Sequence, residues 1–339
     1  MIAIVIVNWN GWRDTIGCIQ SCLALTAPPF RIVVCDNASA DGSIDKIANW
    51  ARGAVEHEPD PSSPVKISSP RLPRGVALLD RTQAEAGTDG DGAELLLVQT
   101  GQNLGFAGGN NVGLRWALAR GASHVWMLNN DTVVPTDALQ SLVETIETDP
   151  KLGLVGSVLV DFADPQRLQA YGGAIDMATF RGRHLGAGKY SNAIASAMRN
   201  DPPRQNEIFY PVGASMLASA TFLHQIGLME ESYFLYYEEA DWVLRARDRF
   251  KIAVAPDSLV YHKEGASAGS LKQGISASTA AFLYRSRLQI GRRFAKKPRI
   301  GLWRGIADDL LRAIFRGRAG QARGILRAIS GKVKVPNQL

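Results

Sequence analysis

The sequence predicts an α/β protein built on a mostly parallel sheet with helices on both faces. Short apolar runs rich in β-branched residues alternate with segments that repeat apolar residues at helical spacing. Polar side chains follow several of the predicted strands, and ligands of such sheets bind where the strands end. The pattern therefore places a ligand site at the carboxyl edge of the sheet.

The elements of the first half follow this alternation. Strands are predicted over residues 3–7, 31–35, 95–99 and 124–128, and helices over 15–25, 41–50 and 107–119. Residues 52–93 are rich in Pro, Gly, Ser and Asp and show no sustained periodicity. We expect them to form a long surface insertion outside the shared core, without an assigned role.

The second half is less regular. Helices are predicted over residues 136–148, 221–226 and from the acidic cluster at 238 to about 249, and strands over 153–160 and 251–255, followed by the segment 259–262. An apolar segment covers 208–218, and residues 161–206 are rich in Gly and Arg without a clear period. No internal repeat is present in the sequence.

Composition excludes several classes of protein. The 339 residues are 46% apolar and 21% charged, as in ordinary globular chains. No apolar run reaches the roughly 18–20 residues that cross a bilayer, and residues 1–7 read as a core strand rather than a signal peptide. Cys18, Cys22 and Cys35 are too few for a disulfide framework, so we expect core thiols in a reducing cytosol.

The net charge of +6 conceals an asymmetry. From residue 285 onward the chain has 15 Lys and Arg against two Asp, whereas the remainder has 23 basic and 30 acidic residues. A helical pattern in this tail puts Leu302, Ile306, Leu310 and Ile314 on one face, with Trp303, Leu311 and Phe315 beside it. Two interpretations stay open: a helix packed on the body, or an interfacial helix on anionic lipid.

Two segments suggest a pocket for a nucleotide diphosphate and its metal ion. The first, Asn103-Leu-Gly-Phe-Ala-Gly-Gly-Asn-Asn-Val-Gly113, is a flexible, amide-rich loop that leads into a helix. The second, Asn129-Asn-Asp-Thr132, ends a strand in a carboxylate that could hold a hard cation. An Asx turn explains the second segment almost as well, and the same holds for Asp36 and its neighbours.

An acidic cluster follows five aromatic or aliphatic residues. Glu238, Glu239 and Asp241 open a helix, where the macrodipole alone would favour carboxylates. A carboxylate at the mouth of an apolar pocket can also have a raised pKa and act as a general base. The dinucleotide fingerprint, the phosphate loop and the nucleophile elbow are absent from the sequence.

Taken in order, these segments resemble a family 2 glycosyltransferase with the GT-A fold, in the rhamnosyltransferase-like branch that builds bacterial surface polysaccharides. The resemblance covers roughly residues 1–270. It is carried by Ile6-Val-Asn-Trp-Asn-Gly11, Val34-Cys-Asp-Asn-Ala-Ser-Ala-Asp-Gly42, Asn103-Leu-Gly-Phe-Ala-Gly-Gly-Asn-Asn111, Leu128-Asn-Asn-Asp-Thr132, Gly213-Ala-Ser-Met216, Phe234-Leu-Tyr-Tyr-Glu-Glu-Ala-Asp-Trp242 and Tyr261-His262.

The resemblance implies a donor site. Asn8 and Asp36 would hold the nucleoside, with Asp36 on the base or ribose. A loop over the nucleotide would contain Asn103, Gly105, Gly108, Gly109 and Asn110. The family's DXD motif falls on Asn129, Asn130 and Asp131, so Asp131 would bind Mg²⁺ or Mn²⁺ on the diphosphate and His262 would complete the coordination. Asn129 replaces the first acid of that motif.

The resemblance also implies a catalytic base. Glu239 matches the base, and Asp241 would shape the acceptor site. The family's Glu-Asp pair is Glu238-Glu239 here, so Glu238 is an alternative base. A single base with in-line displacement implies inversion at the anomeric carbon.

We therefore predict an inverting glycosyltransferase that acts on a hydroxyl of a lipid-linked glycan. Its domains would be a nucleotide-sugar half over residues 1–135, an acceptor half over 136–270 and a basic helical tail over 271–339. The branch favours dTDP-rhamnose as donor, with UDP- and GDP-sugars open. The expected location is cytoplasmic, on the inner face of the bacterial membrane. Alternatives are a nucleotidyltransferase, a sugar-nucleotide-binding protein without activity, and a nucleic-acid-binding protein that uses the tail, although no nucleic-acid-binding module is recognised.

Overall fold

The computed structural model describes residues 1–26, 29–67, 70–263, 275–296 and 298–333. Its strands are β1 (Ile2–Asn8), β2 (Phe30–Asp36), β3 (Val76–Asp80), β4 (Leu95–Gln99), β5 (His124–Asn129), β6 (Thr132–Val133), β7 (Leu152–Asp161), β8 (Leu168–Ala170), β9 (Gly172–Asp176), β10 (Gly182–Leu185), β11 (Glu207–Tyr210), β12 (Ser215–Ser219) and β13 (Lys251–His262).

Helices connect and flank these strands. They are α1 (Trp12–Leu23), α2 (Ser43–Ala51), α3 (Arg81–Glu85), α4 (Gly105–Ala119), α5 (Ala138–Glu147), α6 (Ile194–Asn200), α7 (Ala220–Ile226), α8 (Glu238–Ala246), α9 (Ala277–Phe294), α10 (Ile300–Phe315) and α11 (Ala319–Ile329), with a 3₁₀ turn at Ser191–Ala193. Helix α1 begins three residues before the sequence predicts.

One large sheet organises the described part of the chain. Its strand order is β3-β4-β2-β1-β5-β12-β7-β13-β6, and β8 pairs with β7. The five strands from β3 to β5 are mutually parallel, whereas β12 runs antiparallel between β5 and β7. The mostly parallel sheet that the alternating sequence pattern predicts is therefore confirmed.

The sheet is buried on both faces, which explains the unbroken apolar runs of its central strands. Ile4 and Ile6 of β1 belong to the core shared with α1, α2 and α5. Ala3 and Val5 of the same strand belong to the core shared with α4, α7 and α8. The chain thus forms a helix–sheet–helix sandwich whose strand ends lie along one edge.

The prediction that residues 52–93 form a surface insertion outside the core is partly wrong. Residues 76–80 form β3, which pairs in parallel with β4 and closes one edge of the sheet. Arg71 donates two hydrogen bonds of 2.7 Å to the buried Glu94, and these bonds lower the pKa of Glu94 to about 2 despite its burial. The strand escaped detection because five residues surrounded by turn-forming residues carry too little periodicity.

A second, smaller sheet arises from the stretch that has no clear period in sequence. Strands β10, β9 and β11 pair antiparallel in that order. Its side chains pack against α8 and against the three C-terminal helices, with Ile175 and Phe180 in that core. The acceptor half predicted over 136–270 therefore contains the end of the main sheet and this additional layer.

The C-terminal helices are folded onto the body. Leu302 and Ile306 of α10 are buried together with Tyr284 and Leu288 of α9, so this face packs. Ile314, which the helical pattern assigns to the same face, is exposed, as are Trp303, Leu311 and Phe315. The predicted boundary at residue 270 lies within 264–274, outside the described residues. Among the helices that are described, none is both long and apolar enough to cross a membrane.

Candidate active site

The ends of β1 and β2 bring Asn8 and Asp36 together. The two residues are in register across the parallel pair, and the Asn8 amide donates to Asp36 Oδ2 at 2.6 Å. The Ser39 backbone N–H and hydroxyl donate to the same carboxylate at 2.9 and 2.7 Å. Asp36 is 3% exposed, so these three donors stabilise a buried charge. The predicted contact of Asp36 with base or ribose stays a prediction.

The Asn129–Asp131 segment has its three side chains in different environments. Asn130 turns toward α1, where its amide donates to the Thr15 hydroxyl at 3.0 Å. Thr15 in turn donates to the Asn8 side chain at 2.7 Å. Asn130 therefore joins the first and fifth strand ends, which is a positioning role that the motif itself does not show. Asn129 lies on the other side, with Nδ2 3.5 Å from His262 Nε2.

Asp131 and His262 form a close pair. Asp131 Oδ1 lies 3.2 Å from His262 Nε2. The Gln169 amide donates to the His262 carbonyl at 2.7 Å, which orients the Gln169 oxygen toward His262 Nδ1 at 2.8 Å. Nδ1 therefore carries a proton, and in neutral His262 the Nε2 lone pair faces a carboxylate oxygen.

This donor set fits a divalent cation. Two electron-pair donors facing each other at 3.2 Å need a proton or a metal ion between them, and Gln169 fixes the imidazole as outer ligands of metal-bound histidines do. The part of the chain that the structure describes offers no cluster of three or more Asp, Glu, His or Cys for a metal. A cation here would complete its shell with substrate oxygens and water, as Mg²⁺ commonly does.

The glycine-rich segment is a helix rather than a loop. Helix α4 begins at Gly105, and Gly108, Gly109 and Asn110 are buried within it. A Cβ on Gly109 would lie 2.8 Å from the Asn37 amide and 3.0 Å from Val7, so the glycine allows α4 to pack on the sheet. The helix predicted over residues 107–119 is confirmed and begins two residues earlier, whereas the loop that the resemblance implies through Asn110 is helical from Gly105 onward, because close helix–sheet packing also demands glycine. The predicted contact of these residues with the nucleotide stays a prediction.

The start of α4 joins two parts of the site. Gly105 has φ +71°, and its N–H donates to Asn103 Oδ1 at 3.0 Å. The next N–H, that of Phe106, donates to the Phe234 carbonyl at 3.0 Å. Asn37 donates to the Gly105 carbonyl at 2.9 Å. The helix start therefore links the nucleoside side of the site to the aromatic segment before α8.

Glu239 is fixed by a backbone hydrogen bond. Its Oε1 accepts the Gly213 N–H at 2.9 Å, and Ala214 accepts the Asn129 N–H at 3.0 Å. A Cβ on Gly213 would lie 2.6 Å from Glu239 Oε1, so only glycine permits this approach. The segment 213–214 thus connects Glu239 to the strand end that precedes Asp131. Burial raises the pKa of the half-buried Glu239.

Glu238 precedes Glu239 but has a different environment. It is 3% exposed, and its Oε2 has no hydrogen-bond partner within the described residues. Burial and the adjacent Glu239 raise the pKa of Glu238 well above its usual range. The preceding residues Tyr236 and Tyr237 have φ of +69° and +72°, a conformation that costs on the order of 1–2 kcal/mol per residue. Such strain is concentrated at functional sites.

Asp241 does not point into the site. It is fully buried and accepts hydrogen bonds from Arg245 at 2.8 Å, Arg293 at 3.0 Å and Tyr233 at 3.2 Å. Arg293 belongs to α9, so Asp241 fastens the C-terminal helices to α8. The predicted role of Asp241 at the acceptor is not supported by this geometry, because all three donors come from packed elements.

Sequence reasoning missed Ser39, Thr15 and Gln169. Each orients a predicted ligand residue: Ser39 holds Asp36, Thr15 joins Asn8 to Asn130, and Gln169 fixes His262. Ser39 lies inside a segment that carries the family resemblance and could have been found there. Gln169 lies on the three-residue strand β8, and no local signal connects it to a residue 93 positions away.

Part of the chain matches the model of a known protein family. Residues 80–206 match the model of glycosyl transferase family 2. The family 2 segment includes α4 and Asp131 but neither Asp36 nor Glu239. It covers less than half of the chain.

Two relatives match parts of the chain. A low-salt glycan biosynthesis hexosyltransferase, Agl10 of Haloferax volcanii, is 27% identical over 151 residues, which are 44% of this chain and 45% of that protein. The chain therefore aligns with less than half of that relative's length. An uncharacterised protein of Mycobacterium tuberculosis is 43% identical over 56 residues, 16% of this chain and 21% of its own.

Solved structures match over nearly the whole chain. A mannosyltransferase from Pyrobaculum calidifontis, in complex with GDP-Man and Mn²⁺, has a TM-score of 0.51 at 15% identity over 97% of this chain and 74% of its own. Residues 1–349 of S. aureus TarS have a TM-score of 0.48 at 13% identity, over 98% and 82%. With the sheet order, the first similarity confirms the predicted GT-A fold.

Proposed function

We propose that this chain is an inverting glycosyltransferase that moves a sugar from a nucleotide-diphosphate donor to an acceptor hydroxyl. The observation that carries the proposal is the hydrogen-bonded connection between Glu239 and the strand end of Asp131. Gly213 binds Glu239 while Ala214 binds Asn129, two residues from Asp131. The proposed base is therefore linked through residues 213–214 to the strand end that carries the proposed cation-binding residue Asp131. The family 2 match over residues 80–206 supports the same reaction class.

Glu239 is the base in this proposal. An acceptor hydroxyl ionises far above neutral pH, so a positioned carboxylate must take its proton during attack. Oε1 of Glu239 is fixed by Gly213, which leaves Oε2 to receive that proton. The acceptor oxygen forms a bond to the anomeric carbon, and the bond from that carbon to the diphosphate oxygen breaks with its electron pair. One displacement from the opposite face inverts the anomeric configuration.

Asp131 and His262 would hold the divalent cation. A cation bound there neutralises the charge that develops on the leaving diphosphate. The chain's own contribution is to fix the two donors, through Gln169 on His262 and through Lys263 N–H on the Asp131 carbonyl at 3.0 Å. Mn²⁺ and GDP-Man accompany the mannosyltransferase of similar fold, which supports testing both.

The donor nucleoside would lie beside Asn8 and Asp36, at the ends of β1 and β2. We propose dTDP-rhamnose as the first donor to test, because the sequence resembles the rhamnosyltransferase-like branch, with UDP- and GDP-sugars as the alternatives. Gly105, Gly108, Gly109 and Asn110 are buried in α4, whereas Asn103 is partly exposed, and we propose Asn103 as the nucleotide contact among these predicted residues. The acceptor is proposed to be a lipid-linked glycan.

Substituting Glu239 by Gln tests the proposal. The variant keeps the shape and the Gly213 contact but cannot take a proton, so we expect turnover to fall about 10²–10⁴-fold. Donor binding should persist as a Mn²⁺-dependent rise in Tm with one of the three nucleotide classes. Glu147→Gln on the exposed end of α5 is the matched control. Retained turnover would transfer the base to another residue, and no nucleotide-dependent shift in the native protein would contradict donor binding itself.

A membrane surface is the proposed location of the reaction. Helix α10 exposes Trp303, Leu311, Ile314 and Phe315, the last at 85%, although its opposite face is buried in the core. Exposed Arg304 and Arg312 lie on the same helix, and exposed Arg316 follows its last residue. Apolar side chains between arginines fit the interface of an anionic bilayer. We therefore propose peripheral binding to the cytoplasmic leaflet, and vesicle flotation tests it.

A further inference from the structure

Lys263 connects the metal-binding edge to two remote elements. It follows His262 directly, and its backbone N–H donates to the Asp131 carbonyl at 3.0 Å. Its ammonium group contacts Asp14 of α1 at 2.9 Å and Asp60, in the segment between α2 and β3, at 3.0 Å. The same ammonium lies 4.6 Å from the ring centroid of Phe162. One side chain thus contacts α1, the inserted segment and the end of β7.

The inserted segment itself lies against this edge. Residues from 57 to 67 enclose, together with α1, Asp131 and Lys263, a small cavity of about 40 Å³. The Gln20 amide of α1 donates to the His57 carbonyl at 3.0 Å, and the rings of Trp12 and His57 meet edge to face at 6.0 Å. The first part of the insertion is therefore attached to α1 and adjoins Asp131.

The contact pairs one ammonium group with two carboxylates, those of Asp14 and Asp60. Hydrogen bonds from Ser62 and Lys263 hold the pKa of Asp60 at about 2. All three side chains keep some exposure, so we expect each pair to contribute little to global stability. We expect the two ion pairs instead to fix the positions of the segments that they connect.

We propose that Lys263, Asp14 and Asp60 form a clasp that fixes the strand ends carrying Asp131 and His262, and that residues 57–67 are thereby a wall of the donor site. The inference rests on the proposed function, because it takes Asp131 and His262 as the metal ligands. Metal affinity depends steeply on outer groups that orient the ligands, and their loss typically costs 10–100-fold. The sequence assigns no role to the insertion, whereas this proposal makes its residues 57–67 part of the donor site.

Substituting Lys263 by Met tests the clasp. The variant keeps the aliphatic stem over Phe162 but loses both ion pairs. We expect Mn²⁺ binding, measured from the free-ion electron paramagnetic resonance signal without donor, to weaken about 10-fold. Lys251→Met is the matched control: it lies at the other end of β13 and loses an ion pair of 2.7 Å with Asp149. Asp60→Asn should act in the same direction, and Lys263→Arg should restore binding.

Hydrogen–deuterium exchange supplies a readout that needs no metal. We expect Lys263→Met and Asp60→Asn to raise exchange both in residues 57–67 and in 129–133, while Lys251→Met leaves these segments unchanged. Native Mn²⁺ binding with unaltered binding and exchange in both variants would overturn the clasp and leave the proposed function standing. Absent Mn²⁺ binding in the native protein would instead remove the metal from the proposed function, and the exchange pattern alone would then decide whether the clasp exists.

Discussion

Glu238 and Glu239 are adjacent carboxylates whose environments assign them different protonation. Glu239 has a backbone N–H on one oxygen and partial exposure, whereas Glu238 is buried with an oxygen that has no partner within the described residues. A buried carboxylate without donors is far more stable when it is protonated. Tyr210, Tyr236 and Tyr237 surround the pair and add no positive charge. Glu238 is therefore the neutral member of the pair, and Glu239 remains the proposed base.

Glu238→Gln separates these roles by its pH dependence. The base must be unprotonated, so kcat/KM falls as the pH drops through the pKa of Glu239, which burial places above that of an ordinary glutamate. If Glu238 is already neutral, Gln changes no charge, and we expect the acidic limb to move by less than about half a unit. Ionised Glu238 would instead repel Glu239, and its removal would lower the limb by on the order of one unit.

The same substitution has a signature in stability. Because the folded pKa of Glu238 is raised, the native state binds more protons than the unfolded state above the ordinary glutamate range, and stability falls as the pH rises. Gln needs no proton, so Glu238→Gln should have a higher Tm than the native protein at neutral pH, and the difference should grow as the pH rises from the ordinary glutamate range. A variant with no turnover and an unchanged Tm would contradict the neutral assignment.

At the scale of elements, helix α4 shows how packing uses the glycines of a motif. Gly113 and Gly109 allow the helix to approach Val5 and Val7 of β1, and Gly105 makes room for the Phe234 carbonyl. The chain at Phe234 leads directly into the strained tyrosines and α8. The position of α8 therefore depends on the first residue of α4, although the two are separated by more than 120 residues.

Gly105→Ala measures that dependence against Gly121→Ala. Both glycines have left-handed backbone, with φ of +71° and +68°, but a Cβ at 105 would lie 2.2 Å from the Phe234 carbonyl whereas that at 121 meets open space. We expect urea unfolding to show a loss of about 1–2 kcal/mol for Gly121→Ala from backbone strain. Gly105→Ala should lose about 1–3 kcal/mol more from overpacking. Equal losses would show that the contact with Phe234 does not matter.

At the scale of the whole molecule, the C-terminal helices have one face that is buried against the body and another that is exposed. Their inner face completes a core with β9 and α8, and Arg287 and Arg181 bind Asp309 at 2.6 and 2.8 Å. Their outer face carries the exposed apolar side chains and arginines of α10. The two interpretations of the tail that sequence left open are therefore not exclusive, because they concern opposite faces.

Flotation of the full chain with vesicles tests the outer face. We expect recovery with anionic vesicles but not with neutral ones, and a sharp loss in the double variant Leu311→Ser and Phe315→Ser. Leu78→Ser is the matched control, since Leu78 is an exposed leucine on the edge strand β3. Equal recovery with both lipids, or none, would exclude the electrostatic interfacial mode. Salt-sensitive DNA binding without a donor-induced Tm shift would favour the nucleic-acid alternative.

The sequence by itself determined the central sheet and the edge where the polar residues gather. Unbroken β-branched runs such as Ile2–Asn8 have few alternatives to a buried strand. Strand order then brings Asn8 beside Asp36, as parallel neighbours require. Glu239, Asp131 and His262 could be named before the fold is known through the order of the motifs that carry the family resemblance, because each local signal is weak by itself. Their roles in catalysis and metal binding stay predictions.

Only the tertiary structure decided which of these side chains are available for ligand binding or catalysis and which are used in packing. Asp241 is buried and hydrogen-bonded to packed elements, and burial raises the pKa of Glu238 so that this carboxyl group is neutral. Gly108, Gly109 and Asn110 lie in helix α4 rather than in the proposed loop. The insertion gained a strand and a contact with Lys263 through partners more than 200 residues away. Local sequence determines secondary-structure propensity and periodicity. Hydrogen bonding and burial depend on groups that are distant along the chain, and they determine which side chains are charged and accessible.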